Sequence, residues 1–367
     1  MTIETNITKM FGIKHPIFSA AMGPFYTTDL CVAVSEAGGL GVLSHTSIKR
    51  GTNIGTETTS STARMGADVV EAMKENMKFV VEHTDKPFGF NIRTSRNELQ
   101  APKLCNEIPK FIIENQRIRE QCIYALTSAG SSKTLPATKS FQELKKKSEI
   151  KHFHVAPALW LADKCVASGV DGMVVTGGEG GGHQSYEKVS TLVLLQQVQK
   201  KHPDFPVIAC GGFATGAGLA AALSMGAGGI AMGSRFIASK DAEFHESYKA
   251  VVPPSKASDT ILVTGALGPI RLWKNEYSLH HGLVADKEAK MAEEQKMRKM
   301  SREDLIKEFI ASANAYMAAY RGDVKSGAVL LGQSIGVIDS IESVSDIINE
   351  IVSDAEGLIK NVAKNIK

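Results

Sequence analysis

The fold is decided by residues 206–236, which read PVIACGGFATGAGLAAALSMGAGGIAMGSRF. Two short apolar segments, PVIAC and GGIAM, each run into small residues, and an Ala- and Leu-rich segment with helical spacing lies between them. This order of strand, helix and strand predicts two parallel strands joined by a right-handed crossover. Both glycine turns then open at the carboxyl edge of one sheet. Backbone N–H groups at such turns suit an anion such as phosphate.

Strands and helices alternate through the chain that precedes this stretch. The predicted strands cover residues 16–20, 40–44, 87–92, 122–127, 150–156 and 171–175, and the stretch above adds two more. Eight strands in regular alternation with helices predict an α/β fold, a (β/α)8 TIM barrel. A doubly wound sheet is the competing architecture, but eight such regular units would be unusual in one open sheet.

The pattern changes after residue 239. Residues 240–333 contain a Gly-rich, strand-like piece at 261–268, a charged segment at 286–299 and an amphipathic helix at 302–320. A last helix, at 344–366, can supply the eighth barrel helix. We therefore predict a barrel built from residues 1–239 and 334–367, with a mostly helical lid subdomain at 240–333 over its mouth. A Thr- and Ser-rich stretch at 45–65 is predicted to be a long loop over the same edge.

Composition restricts the class of partner. The chain has 367 residues and a formal charge of +3, a balance that favours neither nucleic acid nor an anionic membrane. No secretory pattern opens the sequence, and no apolar run approaches the ~20 residues that span a bilayer. Five scattered cysteines without a CxxC pair are typical of reduced thiols. These features predict a cytoplasmic protein that acts on a small molecule; a homo-oligomer is left open.

The loop after the sixth strand is predicted to carry the chemistry. It reads TGGEGGGHQ at residues 176–184, and its glycines let the backbone pass close to a flat or bulky group. His183 ends the run, and an imidazole pKa near 6.5 suits proton transfer at neutral pH. The alternative is that His183 caps a turn or contacts a phosphate.

Two other histidines form a possible metal pair. His152 and His154 lie two residues apart on the fifth strand and therefore point to the same side. Because no third ligand is nearby, we interpret them as a strand surface that faces helices, and we predict no metal site.

Several segments together resemble the nitronate monooxygenase family, formerly called 2-nitropropane dioxygenases, which includes FMN-dependent enoyl-[acyl-carrier-protein] reductases. They are HPIFSAAMG, GGLGVLS, GVDGMVVTGGEGGGH, the stretch that decides the fold, and GDVKSGAVLLGQSIGVI, and they cover nearly the whole chain. The resemblance implies a barrel that binds FMN. The sequence departs from the family pattern at Ala21, where proline is usual, at Gly180, where alanine is usual, and at Gln184 after the histidine. Substrate identity does not follow, because loops and lid determine it.

The resemblance also implies roles for individual residues. The positions that match FMN-binding residues lie in the turn after the first strand, at the end of the third strand, in the glycine loop, in the phosphate clamp and in the C-terminal GQ segment. In that order they are Ala21, Met22 and Gly23; Asn91; Gly178, Glu179 and Gly182; Gly211, Gly212, Gly233 and Ser234; and Gln333. His183 matches the catalytic histidine that lies over the flavin and takes the α-proton of the substrate.

Two activities fit these residues. The first, which the sequence favours, is oxidation of alkyl nitronates with O2 to a carbonyl compound and nitrite, with His183 as the base. The second is NAD(P)H-dependent reduction of enoyl thioesters or quinones, in which Lys274, Lys287 and Lys290 would receive a phosphorylated carrier such as CoA. The sequence has no second GxGxxG motif after a strand, so no separate nicotinamide domain is indicated. A flavin-binding scaffold without chemistry is a third interpretation, and the His183 loop argues against it.

Overall fold

The computed structural model describes residues 3–48, 68–95, 98, 100–265, 268–279, 288, 291–292, 295–296 and 299–365. The predicted loop at 45–65 lies outside them from residue 49 onward, as do Lys287 and Lys290. Within the described ranges, no helix has both the length and the apolar character that crossing a bilayer requires. All five cysteines are unpaired, as their spacing predicts.

The fold is built on a ring of parallel strands. In chain order the described strands are β1 (Ile17–Ser19), β2 (Gly41–Leu43), β3 (Phe88–Arg93), β4 (Cys122–Ser128), β5 (Lys151–Ala156), β6 (Gly172–Thr176), β7 (Gly182–His183), β8 (Val207–Cys210), β9 (Gly229–Met232), β10 (Thr260–Gly265) and β11 (Gly268–Trp273). Eight of them form one parallel sheet in the order β1-β9-β8-β6-β5-β4-β3-β2. A parallel bridge between Phe18 and Leu40 joins the two ends of this sheet. The ring is therefore closed, and the predicted TIM barrel is confirmed.

Helices surround the ring. They are α1 (Asn6–Phe11), α2 (Thr28–Glu36), α3 (Val69–His83), α4 (Ala101–Glu114), α5 (Gln116–Gln121), α6 (Lys139–Lys147), α7 (Leu159–Ala167), α8 (Thr191–Lys201), α9 (Gly216–Ser224), α10 (Ser234–Ile237), α11 (Glu246–Ala250), α12 (Glu276–Leu279), α13 (Arg302–Tyr320) and α14 (Val344–Ala363). Helix α14 packs against α9 and α2, which is the place of the eighth barrel helix. Thr215 begins α9, because its hydroxyl accepts a hydrogen bond from the Gly218 N–H.

The amino end of the barrel is filled by aromatic side chains. Phe11, on α1, lies with its ring centroid 5.7 Å from that of Phe18, 5.3 Å from Tyr124 and 5.6 Å from Phe153. These four rings are almost completely buried, and burying one such side chain contributes about 1.5–3 kcal/mol. Since α1 closes this end, a ligand site must lie at the other end, where the strands finish.

The segment after the barrel's last strand combines helices with a β-hairpin. Strand β10 pairs antiparallel with β11, and β11 also pairs with β7, the short strand that ends in His183. The hairpin therefore adds to the predicted helices and ties the insertion to the glycine loop. The proposed division at residues 239 and 334 stays a prediction.

An aromatic cluster fixes the long lid helix, α13, to the barrel. Tyr320 stacks on Phe25 with ring centroids 5.2 Å apart, and its hydroxyl donates to the Tyr26 carbonyl at 3.0 Å. Phe244 contacts both rings from the side. The C-terminal end of α13 is thus held over the first strand of the ring.

Candidate functional site

A cavity of about 1170 Å³ opens at the carboxyl ends of the ring strands. It brings together most of the residues that the sequence selected: Ala21, Met22, Gly23, Asn91, Glu179, Gly182, His183, Gly211, Gly212, Gly233 and Ser234. Gly178 and Gln333 do not line it. The Gln333 N–H instead donates to the Glu179 carbonyl at 2.8 Å, so this residue braces the glycine loop through its backbone.

Two glycines after β8 form one side of an anion cradle. Gly211 and Gly212 have φ angles of +85° and +92°, which L side chains rarely adopt. Among the described residues, the Gly212 N–H has no acceptor. A Cβ built on Gly212 would meet only the Glu179 side chain, at 3.5 Å. The space in front of this turn is therefore open.

Ser234 forms the other side of the cradle. Its hydroxyl oxygen accepts a hydrogen bond from the Gly332 N–H at 2.9 Å, so the hydroxyl proton is left to donate elsewhere. A Cβ on the preceding Gly233 would find only the Ala20 side chain, at 3.8 Å. This arrangement fits a group with the size and charge of a phosphate.

The glycine loop packs against the chain itself. A Cβ on Gly181 would lie 2.7 Å from the Gly332 backbone nitrogen, so no other residue fits without a backbone shift. The sequence interpretation assigned these glycines to the approach of a ligand; at Gly181 the close neighbour is the protein's own backbone. The Glu179 carboxylate accepts from the N–H and hydroxyl of Thr191, at 2.8 and 3.1 Å, and anchors the loop to the start of α8.

The lid hairpin holds His183 in place. His183 lies opposite Ile270 in the β7–β11 ladder, and the next residue, Gln184, donates its N–H to the Pro269 carbonyl at 2.8 Å. Arg271 donates from Nε to the Gly178 carbonyl at 2.7 Å and from Nη1 to the Thr260 hydroxyl at 3.0 Å. Both ends of the glycine loop are therefore fixed by β11.

His183 is a neutral base in this environment. Burial, and after it the positive charge of Arg93, together lower its pKa to about 4. The Nε2 atom is buried and has no hydrogen-bond partner within the described chain. An imidazole with an unused ring nitrogen at the wall of a cavity is placed to exchange a proton with a ligand.

Arg93 is a site residue that the sequence analysis missed. It ends β3, lines the cavity, and its Nη2 atom lies 2.9 Å from the Glu98 carboxylate. The Arg93 backbone N–H donates a hydrogen bond to Nδ1 of His45. Burial lowers the pKa of His45 well below its usual value. The signal was available, because Arg93 follows Asn91 by two residues and the two side chains share one side of the strand.

The turn after β1 and Asn91 form the wall next to Arg93. The Met22 N–H donates to the Ser44 hydroxyl at 2.8 Å, which fixes the turn. The Asn91 amide donates to the Leu126 carbonyl and the Ser128 hydroxyl, at 3.1 and 3.2 Å. Both parts of this wall are thus held by hydrogen bonds within the protein.

The histidines of β5 share one hydrogen-bonding partner, the Thr127 hydroxyl. The Thr127 hydroxyl lies 2.7 Å from a ring nitrogen of His152 and 2.7 Å from one of His154, and the His152 ring contacts Phe141 of α6. Burial lowers the two pKa values to about 3 and about 4. His152 therefore faces a helix, as interpreted, whereas His154 also lines the cavity. In the described ranges, no cluster of His, Cys, Asp or Glu side chains could hold a metal ion.

Comparison with known proteins gives a consistent family. The model of the nitronate monooxygenase family matches residues 4–354. A relative from Rhodococcus jostii strain RHA1, (3aS,4S,5R,7aS)-5-hydroxy-7a-methyl-1-oxo-octahydro-1H-indene-4-carboxyl-CoA dehydrogenase, is 31% identical over 96% of this chain and 96% of its own. A probable nitronate monooxygenase of Staphylococcus saprophyticus is 25% identical over 76% of this chain and 80% of its own.

A solved structure agrees with these relatives. FabK from Thermotoga maritima superposes with a TM-score of 0.76 and 28% identity, and the match covers 100% of both chains. The match therefore includes the segment after the last ring strand as well as the barrel.

Proposed function

The chain belongs to the nitronate monooxygenase family of oxidoreductases, and within it we propose an FMN-dependent enzyme that oxidises the Cα–Cβ bond of an acyl thioester. The observation that carries the proposal is His183, a neutral imidazole whose buried Nε2 atom is unused and which lies within the field of Arg93. A neutral base beside a fixed cation suits removal of a proton from a carbon next to a carbonyl group. The cation stabilises the anion that forms.

The cavity residues fit FMN. Gly211, Gly212 and Ser234 offer the open cradle for its phosphate, and the wall of Met22 and Asn91 suits a flat ring. FMN bound there supplies the acceptor for the hydride that leaves Cβ.

The protein's own groups handle the proton and the charge. In this proposal the His183 imidazole takes the α-proton, and Arg93 holds the negative charge that develops on the thioester oxygen. That charge also raises the pKa of the nearby imidazole, which makes His183 a stronger base during the step than in the free enzyme. The reverse reaction, reduction of an enoyl thioester with NAD(P)H as the hydride source, uses the same groups.

Acyl thioesters come ahead of nitronates, which reverses the order drawn from the sequence. The relative that matches 96% of the chain is a carboxyl-CoA dehydrogenase.

Oxidation of alkyl nitronates with O2 is the second candidate. The same pair of groups favours it, since a nitroalkane also has an acidic α-carbon and its nitronate is an anion that Arg93 would attract. The Staphylococcus relative supports this candidate at lower identity.

The test is anaerobic stopped-flow absorbance of the purified, FMN-loaded protein. Separate samples receive a saturated acyl-CoA, NAD(P)H followed by an enoyl-CoA, and an alkyl nitronate, and His183→Asn is the matched control. We expect acyl-CoA to bleach the flavin, or enoyl-CoA to restore the colour after NAD(P)H. Bleaching by the nitronate alone would favour the second candidate, and a protein that takes up no FMN would contradict both.

A further inference from the structure

One part of the cavity lies outside the cradle, the glycine loop and the wall of Met22 and Asn91. It lies between the loop after β4 and helix α7, and we name it the Trp160 branch; its lining includes Ser131, Lys133, Trp160, Lys164 and Ser168. In the ring order, β4 stands four places from β9 in either direction. The branch therefore opens on the opposite side of the barrel from Gly233 and Ser234, which follow β9.

Trp160 is one of the large apolar residues that are exposed in the described part of the chain. Its side chain is 40% exposed, and its indole N–H has no acceptor in the described chain. The second tryptophan, Trp273, donates its indole N–H to the Ser255 hydroxyl at 2.9 Å. An indole that stands open on a cavity wall offers a stacking surface for a flat ring, and base–aromatic stacking of this kind contributes ~1–3 kcal/mol.

The charge of the branch is positive. The Lys164 Nζ atom lies 4.6 Å from the centre of the Trp160 ring, one helical turn away. Within the described residues, neither Lys164 nor Lys133 has a carboxylate within 4.0 Å. Asp163, the nearest acid along α7, is occupied by Lys201 and His202, at 2.8 and 2.9 Å. Two cations without acids, next to serine hydroxyls, suit phosphate groups.

We propose that the Trp160 branch binds an adenosine phosphate tail, with the purine against Trp160 and the phosphates at Lys164 and Lys133. This inference rests on the proposed function, because CoA thioesters and NAD(P)H are the reactants that carry such a tail. The tail would hold the reactive end of its molecule over the flavin from the side opposite the phosphate cradle. The affinity would then come largely from a site remote from the chemistry.

The first experiment needs no turnover. Adenosine 3′,5′-bisphosphate, the end group of CoA, and adenosine 2′,5′-bisphosphate, the end group of NADPH, are titrated into the FMN-loaded protein by calorimetry. We expect at least one to bind, and Trp160→Ala and Lys164→Glu each to weaken it about tenfold or more. Lys200→Glu is the matched control, since it makes the same charge change at an exposed lysine of α8.

The second experiment separates the two sources of the tail. KM is measured for an acyl-CoA and for the same acyl group on pantetheine, which lacks the adenosine phosphate tail. The same comparison is made between NADPH and reduced nicotinamide mononucleotide. If CoA is the ligand, Trp160→Ala raises KM for the acyl-CoA and leaves the pantetheine thioester unchanged. If NADPH is the ligand, Trp160→Ala raises KM for NADPH and leaves KM for the reduced nicotinamide mononucleotide unchanged.

These outcomes keep the inference separate from the proposed function. Bisphosphate binding that the two variants weaken supports the branch even if no thioester is turned over. Absence of bisphosphate binding, or binding that Trp160→Ala and Lys164→Glu leave unchanged, would overturn it even if thioesters are good substrates.

Discussion

His183 is neutral over the whole physiological range, because burial and Arg93 lower its pKa to about 4. We therefore expect the rate of α-proton removal to be flat from pH 8 to about pH 5 and to fall as His183 becomes protonated near pH 4. His183→Asn should keep FMN and lose ~10²–10⁴-fold in this rate. The measurement is the single-turnover rate of flavin bleaching against pH.

A matched control exists for that variant. His83 is an exposed histidine on α3 whose ring nitrogen meets only the Phe79 carbonyl, so His83→Asn should behave as wild type. Equal bleaching rates in His183→Asn and wild type would remove the base role.

A substitution of Gly212 tests the phosphate cradle, also at the scale of a single residue. Gly212→Val should abolish FMN binding, because the branched side chain would fill the open space in front of the turn. Gly169→Val is the control, since Gly169 also has a positive φ, +67°, and a Cβ there meets nothing within 4 Å. Both variants carry the backbone strain, ~1–2 kcal/mol or more. Flavin content after purification separates them, and a yellow Gly212→Val protein would contradict the cradle.

At the scale of elements, the β10–β11 hairpin positions the glycine loop. Arg271→Met leaves the half-buried Gly178 carbonyl without its donor, which costs about 1 kcal/mol of stability and loosens the loop that carries His183. We expect kcat to fall while the Kd for FMN changes little. Thr260→Val removes only the other bond of Arg271 and should keep kcat near wild type. An unchanged kcat in Arg271→Met would show that the hairpin does not position the base.

The sequence predicted the ring well and the hairpin contact not at all, for a physical reason. Buried parallel strands are apolar runs that end in glycine, so β8 and β9 are visible locally. Strand β7 has only two residues, Gly182 and His183, and it exists because β11 pairs with it from a distant part of the chain. No local pattern reports such a pairing.

The parts of the site that the backbone conformation forms could be predicted from the sequence. The parts that depend on a single side chain could not. Gly211, Gly212 and Ser234 follow from the glycine turns, and the structure places them on one cavity wall. Trp160 and Lys164 had no such signal, since a tryptophan and a lysine four residues apart are ordinary on a helix. Only the fold shows that they face the cavity.

At the scale of the whole molecule, buried ionisable groups set the pH range of stability. Burial lowers the pKa of His152 to about 3, of His15, His154 and His183 to about 4, and of His45 well below its usual value. Each imidazole stays neutral in the folded protein while the unfolded chain takes up a proton below about pH 6.5. Stability is therefore lost as the pH falls from about 6.5 toward 4, by ~1.4 kcal/mol per pH unit for each group.

Glu243 works in the opposite direction. Burial raises its pKa to about 8, although its carboxylate accepts hydrogen bonds from the Asp29 and Leu30 N–H groups. Between about pH 4.5 and 8 the folded protein keeps a proton that the unfolded chain has released. This group therefore stabilises the fold at lower pH, and its contribution is lost as the pH rises toward 8.

The two effects together predict a stability maximum near pH 6.5. The free energy of unfolding, measured by urea titration, should fall on the alkaline side up to about pH 8, because the folded protein keeps the Glu243 proton that the unfolded chain has released. It should fall more steeply on the acid side, where five imidazoles oppose one carboxyl group. Glu243→Gln keeps an acceptor for the α2 N–H groups but cannot titrate. It should be flat between pH 6.5 and 8 and lose stability more steeply than wild type below pH 6.5. If wild type and Glu243→Gln have the same profile between pH 6.5 and 8, Glu243 is not protonated in the folded protein.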